Sequence, residues 1–327
     1  MKQRTARFLQ AASLLPGPMR RALERLDSQE QGEIEEIRLR AGQPMAILGP
    51  KGERGVPGSP ERTRPGDLSL ALEIATQASA HTALDKVRQG FFTVRGGHRI
   101  GICGSAVMKD GAVWNLRQIS SLALRIAHEE PGLAAVVLDK LCEGERLNND
   151  RQARQLRERL KKEQVFLLNL MSAPGSGKTT LLRDLIRALS DGDGVPPMRV
   201  GVADERGELA AMCEGVPQFQ IGSHTDVLDG CPKGQGLLML LRGMNPQVMA
   251  ADEITAPEDV AALEMAANCG VALLATAHGA GLEDLRRRPL YRRLLSLNVF
   301  QRLVVITVEN GGRRYAVHTL EDGICCG

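Results

Sequence analysis

Aromatic side chains are scarce in this chain, at 3% of 327 residues, with a single tryptophan at Trp114. Grooves for single-stranded nucleic acid stack bases on aromatic rings, so this scarcity argues against such a surface. A strong charge of one sign is also missing. The formal net charge of +3 is too small to point to nucleic acid. Seven cysteines, an odd number with no C-x-x-C pair and with Cys325 and Cys326 adjacent, make no disulfide framework and have no zinc-ligand spacing. They fit reduced cytosolic thiols, with Cys103, Cys142 and Cys269 expected as small buried residues and Cys231 as a loop thiol. Long apolar runs are lacking too. The stretch with the least charge, Val260 to Ala277, is interrupted by Glu264, Asn268 and Gly270, which suits a helix and a buried strand rather than a membrane span. The basic start is broken by Gln10, Pro16 and the Arg20–Arg21 pair, so it reads as an amphipathic helix and turn, not a signal peptide. These absences together predict a cytoplasmic protein with no transmembrane segment.

What is present divides the chain in two. Residues 1–142 read as an α+β domain: a helical lead-in, then Ile34, Ile37 and Leu39 alternating with charges, a turn at Ala41–Pro44, and a strand from Met45 to Leu48. A Gly/Pro-rich loop follows, then a helix capped by Asp67 and a second capped by Thr82. Two apolar runs around Gly96–Gly97 predict a hairpin, and WNLRQISSLALRIA adds further strand. Residues 143–164 carry many charges of both signs and few apolar residues, which predicts an exposed linker or solvated helix, with a nucleic-acid arm as the alternative. From 165 to 327 short apolar strands alternate with helices, the pattern of a doubly wound, mostly parallel α/β sheet. FQIGSHTDVLDGCPKGQ reads as a loop within it, Thr255–Glu258 as a capping box, Gly270 as a helix stop, and LVVITVENGGRRYAVHTL as a closing hairpin.

The chemistry centres on VFLLNLMSAPGSGKTTLLRDLIRAL, Val165 to Leu189, which reads as strand, glycine-containing loop and helix. Ala173, Pro174, Gly175, Ser176, Gly177, Lys178, Thr179 and Thr180 match the end of the phosphate loop G-x-x-x-x-G-K-[ST], with Ser172 where the first glycine belongs. In that pattern the glycines let backbone N–H groups turn toward phosphate oxygens. The lysine meets the β and γ phosphates, and the hydroxyl after it meets magnesium. Ligands of open parallel sheets sit beyond the carboxyl ends of the strands, so the polar residues there are the candidates. Asp252 and Glu253 follow the strand QVMAA. Asp252 is expected to hold Mg²⁺, and Glu253 to orient or deprotonate the attacking water. Asp204–Glu205–Arg206 ends another strand, with Glu205 expected to assist the metal or the water and an internally paired exposed turn as the alternative. His278 ends a third and is expected to sense the γ-phosphate. Phosphoryl transfer gains from an arginine reaching in, often from a neighbouring subunit, and Arg95, Arg99, Arg117 and Arg125 are the candidates.

The segments SAPGSGKTTLLRDLIR, VADERGEL, TDVLDGCPK, VMAADEI and ATAHG, with IEEIRLRAGQP, FFTVRGGHRIGICGSAV and ISSLALRIA before them, resemble the stage III sporulation protein AA family, in the secretion-ATPase branch of RecA-like motor proteins. The resemblance implies a hexameric, Mg²⁺-dependent ATPase that binds ATP, bound peripherally to membrane channel proteins between mother cell and forespore. It makes Asp204–Glu205 the acidic box and His278 the histidine box. It also favours Arg117 and Arg125, since the family's arginine fingers come from the N-terminal domain. Two other functions remain open: a RecA-like ATPase driven by nucleic acid, against which the few aromatics argue, and a nucleotide-binding ring scaffold with little turnover.

Overall fold

The computed structural model describes residues 2–76, 90–109, 112–141, 167–170, 177–193, 196–279, 282–296, 300, 302–309 and 312–320. The chain forms two compact units. One holds residues 1–129 and 211–219, the other 130–210 and 220–327. The sequence-based boundary at residue 142 thus lies beyond the observed division. The helix α5 (Leu133–Leu141) goes with the second unit, where the Ala134 N–H donates to Asp184 at 2.6 Å. The charged stretch 143–164 and the helix expected after Thr82 lie outside the described residues.

The first unit opens with helices α1 (Lys2–Ala12), α2 (Gly17–Glu24) and α3 (Ser28–Glu33), then strands β1 (Glu36–Arg40), β2 (Ala46–Gly49) and β3 (Gly52–Gly55). After α4 (Pro65–Ala75) come β4 (Phe91–Thr93), β5 (Arg99–Lys109) and β6 (Ala112–Arg125). Among the described residues these strands make an antiparallel sheet in the order β3-β2-β1-β6-β5-β4. The alternation in β1 buries Ile37 and Leu39 against Phe8, Met19 and Leu23 of the helices. Two local expectations shift. The Gly/Pro-rich loop contains β3, because Gly52, at φ 85°, allows a tight return antiparallel to β2. Asp67 stands three residues inside α4, where its carboxylate accepts from the Arg64 N–H at 2.7 Å. The Gly96–Gly97 hairpin forms with both residues at positive φ, 86° and 77°. The returning segment 211–219 packs there. Gln218 accepts from the Gly96 N–H at 2.8 Å, and a Cβ on Gly97 would lie 2.8 Å from the Phe219 ring.

In the second unit β7 (Leu167–Leu170), α6 (Lys178–Asp191), β8 (Val200–Asp204), β9 (Thr225–Asp229), α7 (Lys233–Gly243), β10 (Val248–Ala251), α8 (Pro257–Asn268), β11 (Ala272–Ala277), the short α9 (Leu282–Arg287) and α10 (Pro289–Ser296), and β12 (Arg302–Glu309) with β13 (Gly312–Thr319) follow in order. The sheet runs β13-β12-β7-β11-β10-β8-β9, parallel except for β13. The loop expected at FQIGSHTDVLDGCPKGQ contains a strand, β9, whose alternation is too short and too polar to signal it. The capping carboxylate of α8 belongs to Asp259 rather than Glu258. It accepts from the Thr255 and Ala256 N–H groups, both at 3.1 Å, because the helix begins at Pro257. Two thiols expected to be buried, Cys103 and Cys269, are exposed. Cys103 adjoins a β-bulge, and Cys269 caps α8 at its solvent-facing end.

Candidate nucleotide site

Strand order assembles this site. Ala251 of β10 lies in register with Ala203 of β8 on one side and Ala275 of β11 on the other, while Ala277 pairs with Leu170 of β7. The residues just past these positions therefore meet along one sheet edge: Asp204–Glu205 at the end of β8, Asp252–Glu253 after β10 and His278 after β11. Residues 171–176, and with them Ser172, Ala173, Pro174, Gly175 and Ser176, lie outside the described residues.

The end of the loop is described. Gly177 caps α6 at φ 92°, in the left-handed region where a side chain would be strained. Lys178 is the first residue of the helix and is buried, and Thr180 lies two residues on. The Thr179 hydroxyl donates to Asp252 Oδ2 at 2.6 Å. The other Asp252 oxygen accepts from the Thr276 hydroxyl. Burial pushes the Asp252 carboxyl above its ordinary range, and the charges of Glu253 and Asp204 add to this, against the two hydroxyl bonds that lower it. A buried carboxylate served by two hydroxyls is a setting that a divalent cation would stabilise, so Thr179 and Asp252 fit Mg²⁺. Among the described residues no cluster of three or more His, Cys, Asp or Glu could hold a metal ion alone. Magnesium itself takes one or two protein oxygens and completes its shell with phosphate and water.

Glu253 is held differently. Its φ is 52°, rare for a residue with a side chain. Its N–H donates to the Thr276 hydroxyl at 2.8 Å, and the next residue, Ile254, is fixed by Thr276 O and by the Tyr291 hydroxyl. The carboxylate accepts from His278 Nε2 at 2.6 Å and from Arg206 Nη1 at 2.8 Å. Burial pushes this carboxyl up. The His278 hydrogen bond, then the charges of His278, Arg206 and Lys178, outweigh it and hold the carboxyl below its usual range.

The two acids at the end of β8 part company. Asp204 is buried and accepts from the backbone N–H groups of Glu208, Leu209 and Ala210, so it folds the loop that follows. Arg183 of α6 secures the same loop through the carbonyls of Glu208 and Leu209. Glu205 is left to line the cleft with Asp204, Arg206, Lys233, Asp252 and Glu253, and it accepts from the buried Lys233 Nζ at 2.7 Å. The internally paired turn considered as an alternative does not form, since Arg206 reaches Glu253. Arg117 and Arg125 both lie on β6 of the first unit. Arg125 is exposed and approaches Glu36 at 3.5 Å. Arg99 stacks on Phe91, its guanidinium carbon 3.5 Å from the ring centroid.

Thr276, Arg206 and Lys233 are members of this site to which sequence reasoning assigned no role, although each lies in a segment already singled out: ATAHG, VADERGEL and TDVLDGCPK. Thr276 was discernible as the polar residue within the apolar strand ALLATA. Lys233 closes the TDVLDGCPK segment and opens α7.

Strand order and strand-end chemistry define a RecA-like phosphate-loop unit, with a smaller α+β unit preceding it in the sequence. Solved structures share this fold: the Legionella pneumophila ATPase DotB (TM-score 0.55, 16% identity, 91% of this chain and 79% of that one) and the pilus retraction motor PilT with bound ADP (TM-score 0.57, 18% identity, 89% and 81%). Within that class the chain belongs to the family described as Sporulation stage III, protein AA, which it matches over residues 5–321. It is 36% identical over 307 residues to the stage III sporulation protein AA of Bacillus subtilis (strain 168), covering 92% of this chain and 91% of that one.

Proposed function

We propose that the protein is a Mg²⁺-dependent ATPase acting as a motor in endospore formation. It would work as a homo-oligomeric ring, a hexamer by analogy with secretion ATPases, seated peripherally on membrane channel proteins that its cycle assembles or gates. The observation that carries the reading is the bond between Thr179 and Asp252. It joins the phosphate-loop helix to the acidic strand end, the two halves of a nucleotide-hydrolysing site.

Each residue then has a task. Lys178 and the N–H groups of the α6 terminus receive the phosphates. Thr179 and Asp252 hold Mg²⁺, which would neutralise charge developing on the phosphate oxygens. Glu253 orients or deprotonates the attacking water, and His278 and Arg206 set the position and charge of its carboxylate. Glu205 acts from the same cleft, positioned by Lys233. Arg117 or Arg125 is supplied by a neighbouring copy. Among the described residues no helix is long and apolar enough to cross a membrane, which suits a peripheral seat.

The test is the rate of phosphate release by the purified chain with ATP and magnesium, with and without single-stranded DNA. Weak basal turnover is expected, falling about 100-fold or more in Glu253→Gln and Lys178→Ala. A rate that neither substitution changes would leave a nucleotide-binding scaffold, and strong stimulation by DNA would replace the channel motor by a nucleic-acid-driven one.

A further inference from the structure

The C-terminal hairpin carries an arginine to the phosphate-loop helix. Arg313 of β13 packs so closely on Gly177 that a Cβ built there would lie 2.9 Å from both its guanidinium carbon and its Nε. Glycine at this position is what admits the guanidinium. The placement is electrostatically odd, because the N-terminus of α6 is the positive end of the helix and already holds the buried Lys178. A second cation belongs at that end only when an anion accompanies it. In this structure the anion is Glu130, whose carboxylate accepts from Arg313 Nη1.

Glu130 stands at a telling place in the chain. It is the first residue of the second unit, and its predecessor Glu129 is the last of this stretch of the first. Glu129 accepts from Arg7 within the first unit, while Glu130 is fastened by Arg313 within the second. Adjacent glutamates at the join are thus tied down on opposite sides of it. A polyphosphate carries more charge than a carboxylate, and its oxygens match the planar fork of a guanidinium. Bound at Gly177–Thr180, it would compete with Glu130 for the same arginine.

We propose that Arg313 is a nucleotide-contacting residue supplied by the chain's own C-terminal hairpin, and that Glu130 occupies it until a nucleoside polyphosphate binds. Occupancy of the phosphate loop is thereby reported to the join between the units. The proposal rests on the reading of Gly177–Thr180 as a polyphosphate site.

The test measures binding of a fluorescent ATP derivative to the full chain and to Lys178→Ala, Arg313→Ala, Arg313→Lys and Glu130→Gln. Hydrogen–deuterium exchange is followed in parallel across residues 129–137. Arg313→Ala should weaken binding about tenfold, the size of a charge-assisted hydrogen bond, with Arg313→Lys in between. Glu130→Gln should tighten binding about two- to fivefold, since it removes a half-exposed competitor. ATP should raise exchange across 129–137 in the wild type and leave it unchanged in Arg313→Ala. Glu130→Gln should show the raised exchange without nucleotide. Should Arg313→Ala fold poorly, the opposite signs expected of Arg313→Lys and Glu130→Gln carry the test. Affinity lost in Lys178→Ala but within twofold of wild type in Arg313→Ala would overturn the proposal alone, as would weaker binding by Glu130→Gln. Absence of wild-type binding would overturn the nucleotide site and the proposal with it.

Discussion

Replacing Arg206 by glutamine should accelerate hydrolysis, although the residue sits in the candidate site. Both Glu253 oxygens are engaged, one by His278 and one by Arg206. Each bond takes up part of the carboxylate's accepting capacity, and the cation lowers its basicity toward a water's proton. Arg206 is the looser of the two, with 52% of its side chain exposed against 42% for His278. A pair so open to solvent contributes about 0.2–1 kcal/mol, which corresponds to a factor of about 1.4 to 5. The rate at saturating ATP and magnesium should therefore rise within that range. Removing the cation also raises the Glu253 carboxyl, which is now held below its ordinary range. Because the carboxylate form is the one that accepts the proton, the acid limb of the pH–rate profile should move to higher pH, by up to about 0.7 unit. Single-turnover phosphate release across pH 5 to 8 reads both effects. A fall of more than about tenfold would refute this reasoning, because a solvent-screened pair cannot account for it and Arg206 would then have to touch the transition-state charge.

Thr276→Val keeps the shape of a buried side chain but leaves the Glu253 N–H and an Asp252 oxygen without their hydroxyl partner. Urea unfolding should show a loss of about 1–3 kcal/mol, and half-maximal activity should need more magnesium, while Thr276→Ser restores both. His98 supplies a pH test of the first unit. Burial, then the charges of Arg7 and His128, lower its pKa to about 3. Above pH 6.5 neither the folded nor the unfolded imidazole is charged. As pH falls below 6.5 only the unfolded one takes a proton, so stability drains away down to about 3. At pH 5.5 the loss from this residue should be about 1.4 kcal/mol relative to pH 7.5, measured by denaturant midpoints, and His98→Gln should flatten the dependence.

The parts of the fold legible in the sequence were those with a local cause. Apolar runs ending in acids marked β8 and β10, two glycines marked the β4–β5 hairpin, and Gly270 marked the end of α8. Elements whose cause lies elsewhere in the chain were not legible. β9 exists because β8 offers it a parallel edge, with Asp226 opposite Gly201 and Asp229 opposite Asp204, and its own residues carry no strong strand pattern. The segment 211–219 belongs to the first unit because Gly96 and Gly97 leave room for Gln218 and Phe219, a contact across more than a hundred residues. A division drawn at the charged stretch could not foresee either that return or the packing of α5 on α6.

The same distinction governs the site. Motif spacing identified Lys178, Thr179, Asp252, Glu253, Glu205 and His278 as candidates, because each ends a strand or opens a helix on one side of a parallel sheet. It assigned each a task but could not show which neighbours hold it there, which depends on third parties. Asp204 and Glu205 are equivalent as letters. The three N–H groups of Glu208, Leu209 and Ala210 claim the first, and Lys233 turns the second into the cleft. Thr276 binds Asp252 with its hydroxyl proton and receives the Glu253 N–H on its oxygen, so one threonine orients both acids that follow β10. It also holds Glu253 in a left-handed conformation that costs about 1–2 kcal/mol, a strain the turn keeps because Thr276 and Tyr291 fix the backbone around it. A relaxed turn would carry the carboxylate away from His278. The strained residue is therefore the one proposed to meet the attacking water, and much of its support comes from a strand, β11, that carries no part of the phosphate-loop motif.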